Sequence, residues 1–281
     1  MKTWFITGIS RGLGKALAQA ALSRGDTVVG TVREGAPELA TGQGKLHVLT
    51  VDLTDAAAIT PAVRAAFERA GRIDVLVNNA GYGLLGALEH ATDAEFERLF
   101  AVNVFAPFAV IRAALPQLRR QGSGHILNIT SIAGRAPAGS SGLYSATKAA
   151  LEGLTQSLAQ EIAPFGLKVT AIAPGAFRTD FLSDHSIQRS RGGEDYAQSV
   201  GTAVARLDAM AGRQIGDPDQ AAAAILALVD VENPPLHLLL GSDALRRARE
   251  KLDAVIDEID RWETITRSTD HREAPSAVRT G

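Results

Sequence analysis

The chain has no cysteine among its 281 residues, which excludes disulfide bonds, thiolate nucleophiles and sulfur-ligated zinc. Aromatic residues are scarce at 5%, and the six histidines are scattered without the spacing of a metal site. A formal net charge of −2 gives no electrostatic footprint for nucleic acid, whose binders carry a basic patch or a high isoelectric point. No apolar run comes near the roughly 18–20 residues needed to cross a bilayer. Met1-Lys2-Thr3-Trp4-Phe5-Ile6-Thr7 runs straight into glycines, leaving no room for a signal peptide's apolar region and cleavage site. These absences lead us to expect a soluble cytoplasmic protein with no metal, no nucleic-acid partner and no membrane contact.

What is present is 46% hydrophobic and arranged in short β-rich runs that alternate with longer helical patterns. That alternation is the signature of βαβ units and of a parallel sheet covered on both faces. Seven strands are expected near Thr3–Thr7, Thr27–Val32, Leu46–Val51, Val75–Asn78, His125–Ile129, Lys168–Ala173 and Leu236–Leu240. Helices are expected near Leu13–Ser23, Ala57–Ala70, Phe96–Leu118, Leu143–Ile162 and Pro218–Val229, joined by right-handed crossovers. Pro107 and Pro116 fall inside the third stretch and predict a break or kink there. Phe177 to Gly216 keeps no sustained period and mixes glycines, charges and aromatics, the composition of a mobile segment over a binding site. Beyond Asp243, Leu245, Ala248, Leu252, Val255, Ile256 and Ile259 mark one more amphipathic helix, with Trp262 at its end and a polar, frayed tail after about Thr266.

The most informative stretch places Ser131 thirteen residues before Tyr144, which opens Tyr-Ser-Ala-Thr-Lys and so precedes Lys148 by four. A free tyrosine has a pKa of about 10, and a nearby ammonium favours its phenolate. Residues four apart share one helix face, with Cβ atoms roughly 5–6 Å apart. The helix itself is predicted by Leu143, Ala146, Ala150, Leu151, Leu154, Leu158 and Ile162, which recur every three or four positions. Taken singly, Ser131 also reads as a turn or cap before Gly134, and Tyr144 as a core ring.

Thr7-Gly8-Ile9-Ser10-Arg11-Gly12-Leu13-Gly14 follows an expected strand and opens an expected helix, the context that a dinucleotide-binding loop requires. Its spacing is Gly-x3-Gly-x-Gly, and an ordinary glycine turn is the alternative. Arg33 follows the second strand, where an acid would bind the ribose hydroxyl of NAD and an arginine accommodates the 2′-phosphate of NADP. Arg11 is a second cation for the same phosphate. Asp52 can take a hydrogen bond from the adenine amino group, with Leu53 offering an amide and apolar contact, or it can cap the helix that begins near Asp55. Asn78-Asn79-Ala80-Gly81 closes the fourth strand at the same edge, where ligands of open α/β sheets bind; its asparagines also suit a turn.

These motifs together resemble the short-chain dehydrogenase/reductase superfamily, single-domain type, over roughly Lys2 to Leu240. The marks are Thr7 to Gly14, Asp52, Asn78 to Gly81, Asn103, Ser131, Tyr144 with Lys148, and Pro174-Gly175 followed by Thr179. The resemblance implies a three-layer, doubly wound Rossmann fold with a mainly parallel seven-stranded sheet. It implies a nucleotide-binding and catalytic domain over residues 1–242, a substrate loop near 177–216, and a helical extension with a polar tail over 243–281. It implies a hydride-transferring oxidoreductase that interconverts a carbonyl and its alcohol with NADP(H) in preference to NAD(H). Tyr144 would be the proton donor or acceptor, Lys148 would tune it and bind the nicotinamide ribose, Ser131 would hold the substrate oxygen, and Asn103 would fix a relay water. Gly8, Ser10, Arg11, Gly12, Leu13, Gly14, Arg33, Asp52, Leu53, Asn79, Ala80, Gly81, Pro174, Gly175 and Thr179 would line the cofactor. Ala133, Gly134, Leu143, Phe177 and Phe181 would join Ser131 and Tyr144 around an apolar substrate. Pairing through the two long helices near Phe96–Leu118 and Leu143–Ile162 implies a homodimer or homotetramer. The Gly-Thr-Val-Arg ending of the second strand and the carboxyl-terminal helix resemble the hydroxysteroid- and retinol-dehydrogenase-like branch. The length argues against the extended epimerase-type relatives. A redox-inactive NADP-binding sensor is the rival reading, although it would not need both Tyr144 and Lys148.

Overall fold

The first strand, β1 (Thr3–Ile6), sends Trp4 and Ile6 into one apolar layer and Phe5 into the other, and all three are sealed from solvent. Successive side chains of a strand point to opposite faces, so a strand without polar alternation requires cover on both sides. The computed structural model, which describes residues 1–183 and 185–271, supplies that cover. After β1 come α1 (Gly12–Ser23), β2 (Thr27–Val32), β3 (Lys45–Thr50), α2 (Ala56–Ala70), β4 (Val75–Asn78) and β5 (Gly83–Leu85). There follow α3 (Asp93–Phe100), α4 (Ala106–Gln121), β6 (Gly124–Ile129), α5 (Gly142–Ile162), β7 (Leu167–Pro174) and β8 (Ile187–Arg189). The chain ends with α6 (Thr202–Ala209), α7 (Pro218–Leu228), β9 (His237–Leu240) and α8 (Ser242–Arg267).

Seven strands form one parallel sheet in the order β3-β2-β1-β4-β6-β7-β9. Leu17 and Leu22 of α1 and Ile225 of α7 pack on one face, while Ile59 and Val63 of α2, Val110 and Leu118 of α4 and Leu158 of α5 pack on the other. Each fully buried side chain of this size contributes about 1.5–3 kcal/mol. The chain moves outward in one direction from β1 through β2 and β3 and in the other from β4 through β6. The crevice between β1 and β4 is therefore the switch point of the sheet, where open α/β sheets bind ligands.

The seven main strands lie within a residue or two of their expected places. The third helical stretch is interrupted as expected, but not by its prolines. A single π turn, Ala101–Phe105, separates α3 from α4. Pro107 sits in the first turn of α4, where its missing N–H costs nothing, and the helix continues through Pro116. The joined stretch Asp93–Gln121 is long and apolar enough, by length and composition, to cross a membrane, which the search for unbroken apolar runs did not reveal. Here its Val110, Ile111, Ala114 and Leu118 belong to a core layer. The Phe177–Gly216 segment holds more regular structure than its composition suggests: β8 pairs with β5 in a separate two-stranded ribbon, and α6 follows. Three-residue strands and an eight-residue helix are too short to leave a period. The tail after residue 271 lies outside the described residues.

Candidate active site

The glycine loop leaves β1 at the switch point. Gly8 turns at φ +74°, and its N–H and that of Ile9 both reach the Thr31 carbonyl on β2. Gly14, in the first turn of α1, has no room for a side chain: a methyl group there would overlap the Gly8 carbonyl and the Asn79 amide. Asn79 holds the loop by donating to the Thr7 and Gly8 carbonyls, each at 2.9 Å, while the Thr7 hydroxyl accepts from the Asn79 and Ala80 N–H groups. Arg11 caps α1 in extended backbone with no side-chain bond, and the first turn carries no acid. The amides of Gly12 and Leu13 thus open a helix whose positive end is uncompensated, a site fitted to a pyrophosphate. Ser10 and Arg11 are exposed beside it. Thr179, after β7, lies across the crevice from Gly12.

At the far side of the loop, Arg33 is exposed and pairs loosely with Glu34 at 3.3 Å. Asp52 accepts through Oδ1 from the Thr54 N–H and hydroxyl, which hold its carboxyl below the ordinary range. Capping of α2 falls instead to Asp55, which accepts from Ala57 N–H. Asp52 is therefore not the helix cap, and Leu53 beside it packs against the second core layer.

Asn103, on the π turn, is buried; it accepts from Tyr82 N–H and donates to the Tyr82 carbonyl and the Thr147 hydroxyl. A π turn shifts the register of a helix by one residue, and here it aims an amide at Gly81 from below. Gly81 also faces Lys148 Nζ, which donates to the Ile129 carbonyl at the end of β6. Tyr144 and Lys148 share one face of α5, with Nζ 5.8 Å from the centre of the phenol ring. Ser131 follows β6 and stands beside the Tyr144 phenol; its Oγ accepts from Ala133 N–H.

Burial governs the charges. Tyr144 is pushed up to about 12 by desolvation, only partly opposed by the Ser131 hydrogen bond. Lys148 is pushed down to about 8 by the same cause, against the charge of Glu152 one turn further on. Desolvation is thus the largest influence on the phenol in this arrangement. Nζ is committed to a backbone carbonyl, and the phenol is held neutral.

A cavity of about 430 Å³ lies under the segment after β8, lined by Leu85, His90, Ser190, Tyr196, Val200 and Val204. A smaller cavity shares Gly86, Ala87 and Ser190 with it and reaches Leu143, next to Tyr144. The Phe181 ring lies 5.8 Å from that of Tyr144. Phe177, expected at the substrate, instead covers Gly216 and Gly241 and packs against the core layer under α1 and α7. Ala133 and Gly134 form a turn against α5, half-buried.

Residues 2–190 match the family model described as short chain dehydrogenase. The chain belongs to the short-chain dehydrogenase/reductase superfamily. It is 36% identical to "Oxidoreductase BOA17" of Botryotinia fuckeliana, with 94% of this chain and 98% of the relative covered. It is 38% identical to "3-ketodihydrosphingosine reductase" of Bacteroides thetaiotaomicron, over 84% and 86% respectively. A short-chain dehydrogenase from Streptomyces avermitilis superposes with a TM-score of 0.86 at 41% identity, covering 96% of this chain and 98% of that one. An alcohol dehydrogenase from Thermococcus sibiricus, complexed with 5-hydroxy-NADP, gives 0.69 at 27% identity over 85% and 96%. A 3-ketoacyl-(acyl-carrier-protein) reductase from Brucella melitensis, complexed with NADH, gives 0.70 at 28% over 85% and 96%. As a member of this superfamily the protein is an NAD(P)-dependent oxidoreductase acting on small molecules.

Two residues of this short-chain dehydrogenase, Glu152 and Asp243, stand outside the sequence motifs, and Gly134, expected at the substrate, also braces α5. Gly134 packs so closely on α5 that a methyl group would sit 2.8 Å from the Lys148 carbonyl carbon and 2.9 Å from Ala149 N. Buried Glu152 is held by Thr130 and Arg135 one turn after Lys148. Asp243, in the first turn of α8, accepts from Ala176 N–H and closes over the Pro174-Gly175 turn. The spacing of four from Lys148 to Glu152 was a usable signal. Gly134 and Asp243 act only through contacts distant in sequence, and nothing local announces them.

Proposed function

We propose that the protein is an NADP(H)-dependent reductase, working reversibly on a largely apolar ketone or aldehyde, with Tyr144 as the proton donor. The observation that carries this reading is the buried Tyr144 phenol, beside Ser131 and with Lys148 Nζ 5.8 Å from its ring, at the edge shared with the glycine loop. The nicotinamide, when bound, supplies or accepts the hydride. Ser131 orients the substrate carbonyl and stabilises the charge that grows on its oxygen. Tyr144 releases its proton to that oxygen, a phenol being an intrinsically stronger acid than the alcohol that forms. Lys148 binds the ribose and Asn103 fixes a relay water behind it. Pro174, Gly175 and Thr179 hold the nicotinamide end. Gly8, Gly12, Gly14 and their neighbours hold the pyrophosphate, with Asn79 bracing the loop.

Arg33 and Arg11 support NADP over NAD, since both are exposed beside the end of β2 and the glycine loop. The 5-hydroxy-NADP bound by the Thermococcus neighbour agrees with that preference, and the NADH of the Brucella neighbour does not. Leu85, Leu143, Phe181, Val200 and Val204 support an apolar substrate, and the Bacteroides relative is named for a 3-keto compound. Residues 1–242 would form the catalytic domain, 177–216 its substrate loop and 243–281 an extension. The exposed Phe105 and Phe108 on the long helix support pairing through α4 and α5 as a dimer or tetramer. The cytoplasmic location expected from the sequence belongs to the same proposal.

The test is Tyr144→Phe, assayed on a carbonyl panel with NADPH and NADH side by side. Turnover should fall about 10²–10⁴-fold while NADPH affinity, read by fluorescence, stays within about twofold. Undiminished turnover overturns the assignment.

A further inference from the structure

Helix α8 parts from the body of the protein two turns after it begins. Ala244 and Ala248 are buried against Ile132, Ala136 and Leu239. From Arg249 to Arg267 every residue is exposed except the half-buried Val255. Along this free length Leu252, Val255, Ile256, Ile259 and Trp262 recur at three- and four-residue intervals on one face, and the four besides Val255 are 54–61% exposed. No helix or strand among the described residues covers that stripe.

Its charges are ordered along the axis. Arg249 and Lys251 lie at one end of the stripe and Glu258 and Asp260 towards the other, and none of the four has an ion-pair partner among the described residues. Arg246 with Glu250, and Glu263 with Arg267, are by contrast satisfied within the helix. At 3.6 residues per turn, Arg249 and Asp260 border the stripe on one side, and Lys251 and Glu258 border it on the other. Two such helices laid antiparallel, with Val255 near the twofold axis, set Arg249 opposite Asp260 and Lys251 opposite Glu258, each pair twice. Laid parallel, they would set Arg249 near Lys251 and Glu258 near Asp260, like against like.

We propose that α8 is a self-association element that pairs antiparallel with α8 of a second copy. This surface is separate from α4 and α5, and the inference does not rest on the enzymatic reading. An anionic bilayer is a poorer occupant, because between Leu252 and Thr266 five acids, Asp253, Asp257, Glu258, Asp260 and Glu263, stand against one base, Arg261. The free length, roughly 27 Å, makes a seam at the low end of stable interfaces, so association in the micromolar range is expected.

The absence of cysteine from the chain makes the register directly testable. Lys251→Cys and Glu258→Cys variants, prepared separately, mixed and joined with a short bis-maleimide, should give mainly the mixed adduct. Mainly self-adducts, or none, would overturn antiparallel pairing. In sedimentation equilibrium, Lys251→Glu should weaken association about tenfold and the further change Glu258→Lys should restore it. Ile259→Asp should weaken it about a hundredfold with helix content retained by circular dichroism. Unchanged association in all three, or a protein that binds vesicles of anionic lipid and shows no α8-dependent association, refutes the proposal.

Discussion

Tyr144 and Tyr196 are both tyrosines whose phenols are held neutral, and the reasons differ. Tyr144 lies inside the sheet edge, where desolvation raises it and the surrounding bonds run to buried partners. Tyr196 lies in the Phe177–Gly216 segment, half-buried, and is raised by donating to Glu89 at 2.7 Å and by that carboxylate's charge. Around Tyr144 the neighbours are fixed in the same manner: Lys148 to a strand carbonyl, Asn103 to Tyr82 and Thr147, and Asn78 to Asn128 and onward to Thr155. Around Tyr196 the ties are surface pairs such as Arg189 with Asp208. Exposed pairs contribute at most about 1 kcal/mol and weaken in salt. The edge is fixed by buried bonds, whereas the segment is held by surface pairs, which suits the proton-transfer and substrate-binding roles proposed for them.

The sharpest way to break this contrast is Gly134→Ala. The added methyl group would press on the α5 backbone at Lys148 and Ala149, so the turn carrying Ser131 must move away from Tyr144. A displacement approaching an ångström costs up to about a hundredfold in rate, and overpacking costs about 1–3 kcal/mol of stability. We expect kcat to fall tenfold to a hundredfold with NADPH affinity unchanged, checked by steady-state kinetics and denaturant melts. Full activity would mean that the edge is looser than its packing indicates.

That contrast also governs what the sequence made legible. The glycine loop, Ser131, Tyr144 and Lys148 could be read because each task demands a particular residue type at a fixed distance along the chain. The parallel sheet could be read because strands such as Trp4-Phe5-Ile6 are apolar on both faces. Gly134, Asp243 and the bond from Lys148 to Ile129 depend on partners that only the fold brings near. The environment of Tyr144 follows the same rule: burial acts through the whole surroundings, and a spacing of four residues predicts proximity alone. The contacts of Phe177 with Gly216 and Gly241 likewise rest on residues distant in sequence.

Arg33→Asp probes the outer end of the same edge, where the structure is exposed and electrostatic. Arg33 is exposed and its ion pair among the described residues is the loose one with Glu34, so the substitution should cost little stability. If Arg33 receives the 2′-phosphate, replacing it with an anion should cut kcat/KM for NADPH by about 10–100-fold and leave NADH nearly unaffected, because an arginine–phosphate contact is charge-assisted. Unchanged discrimination would shift the phosphate assignment to Arg11.

Tyr196→Phe carries the smallest expected effect and speaks most directly to the segment. It removes the hydroxyl that donates to Glu89 and keeps the ring, which stands edge-on to His90 at the wall of the larger cavity. An exposed bond of this kind is worth under about 1 kcal/mol, so KM should rise no more than about fivefold, and the difference should shrink as salt is added. The value of kcat should not move, since the proton transfer proposed here runs through Tyr144. If kcat instead fell more than tenfold, closure of the segment over the substrate would be part of the chemical step, and the division between a fixed edge and an adaptable segment would have to be abandoned.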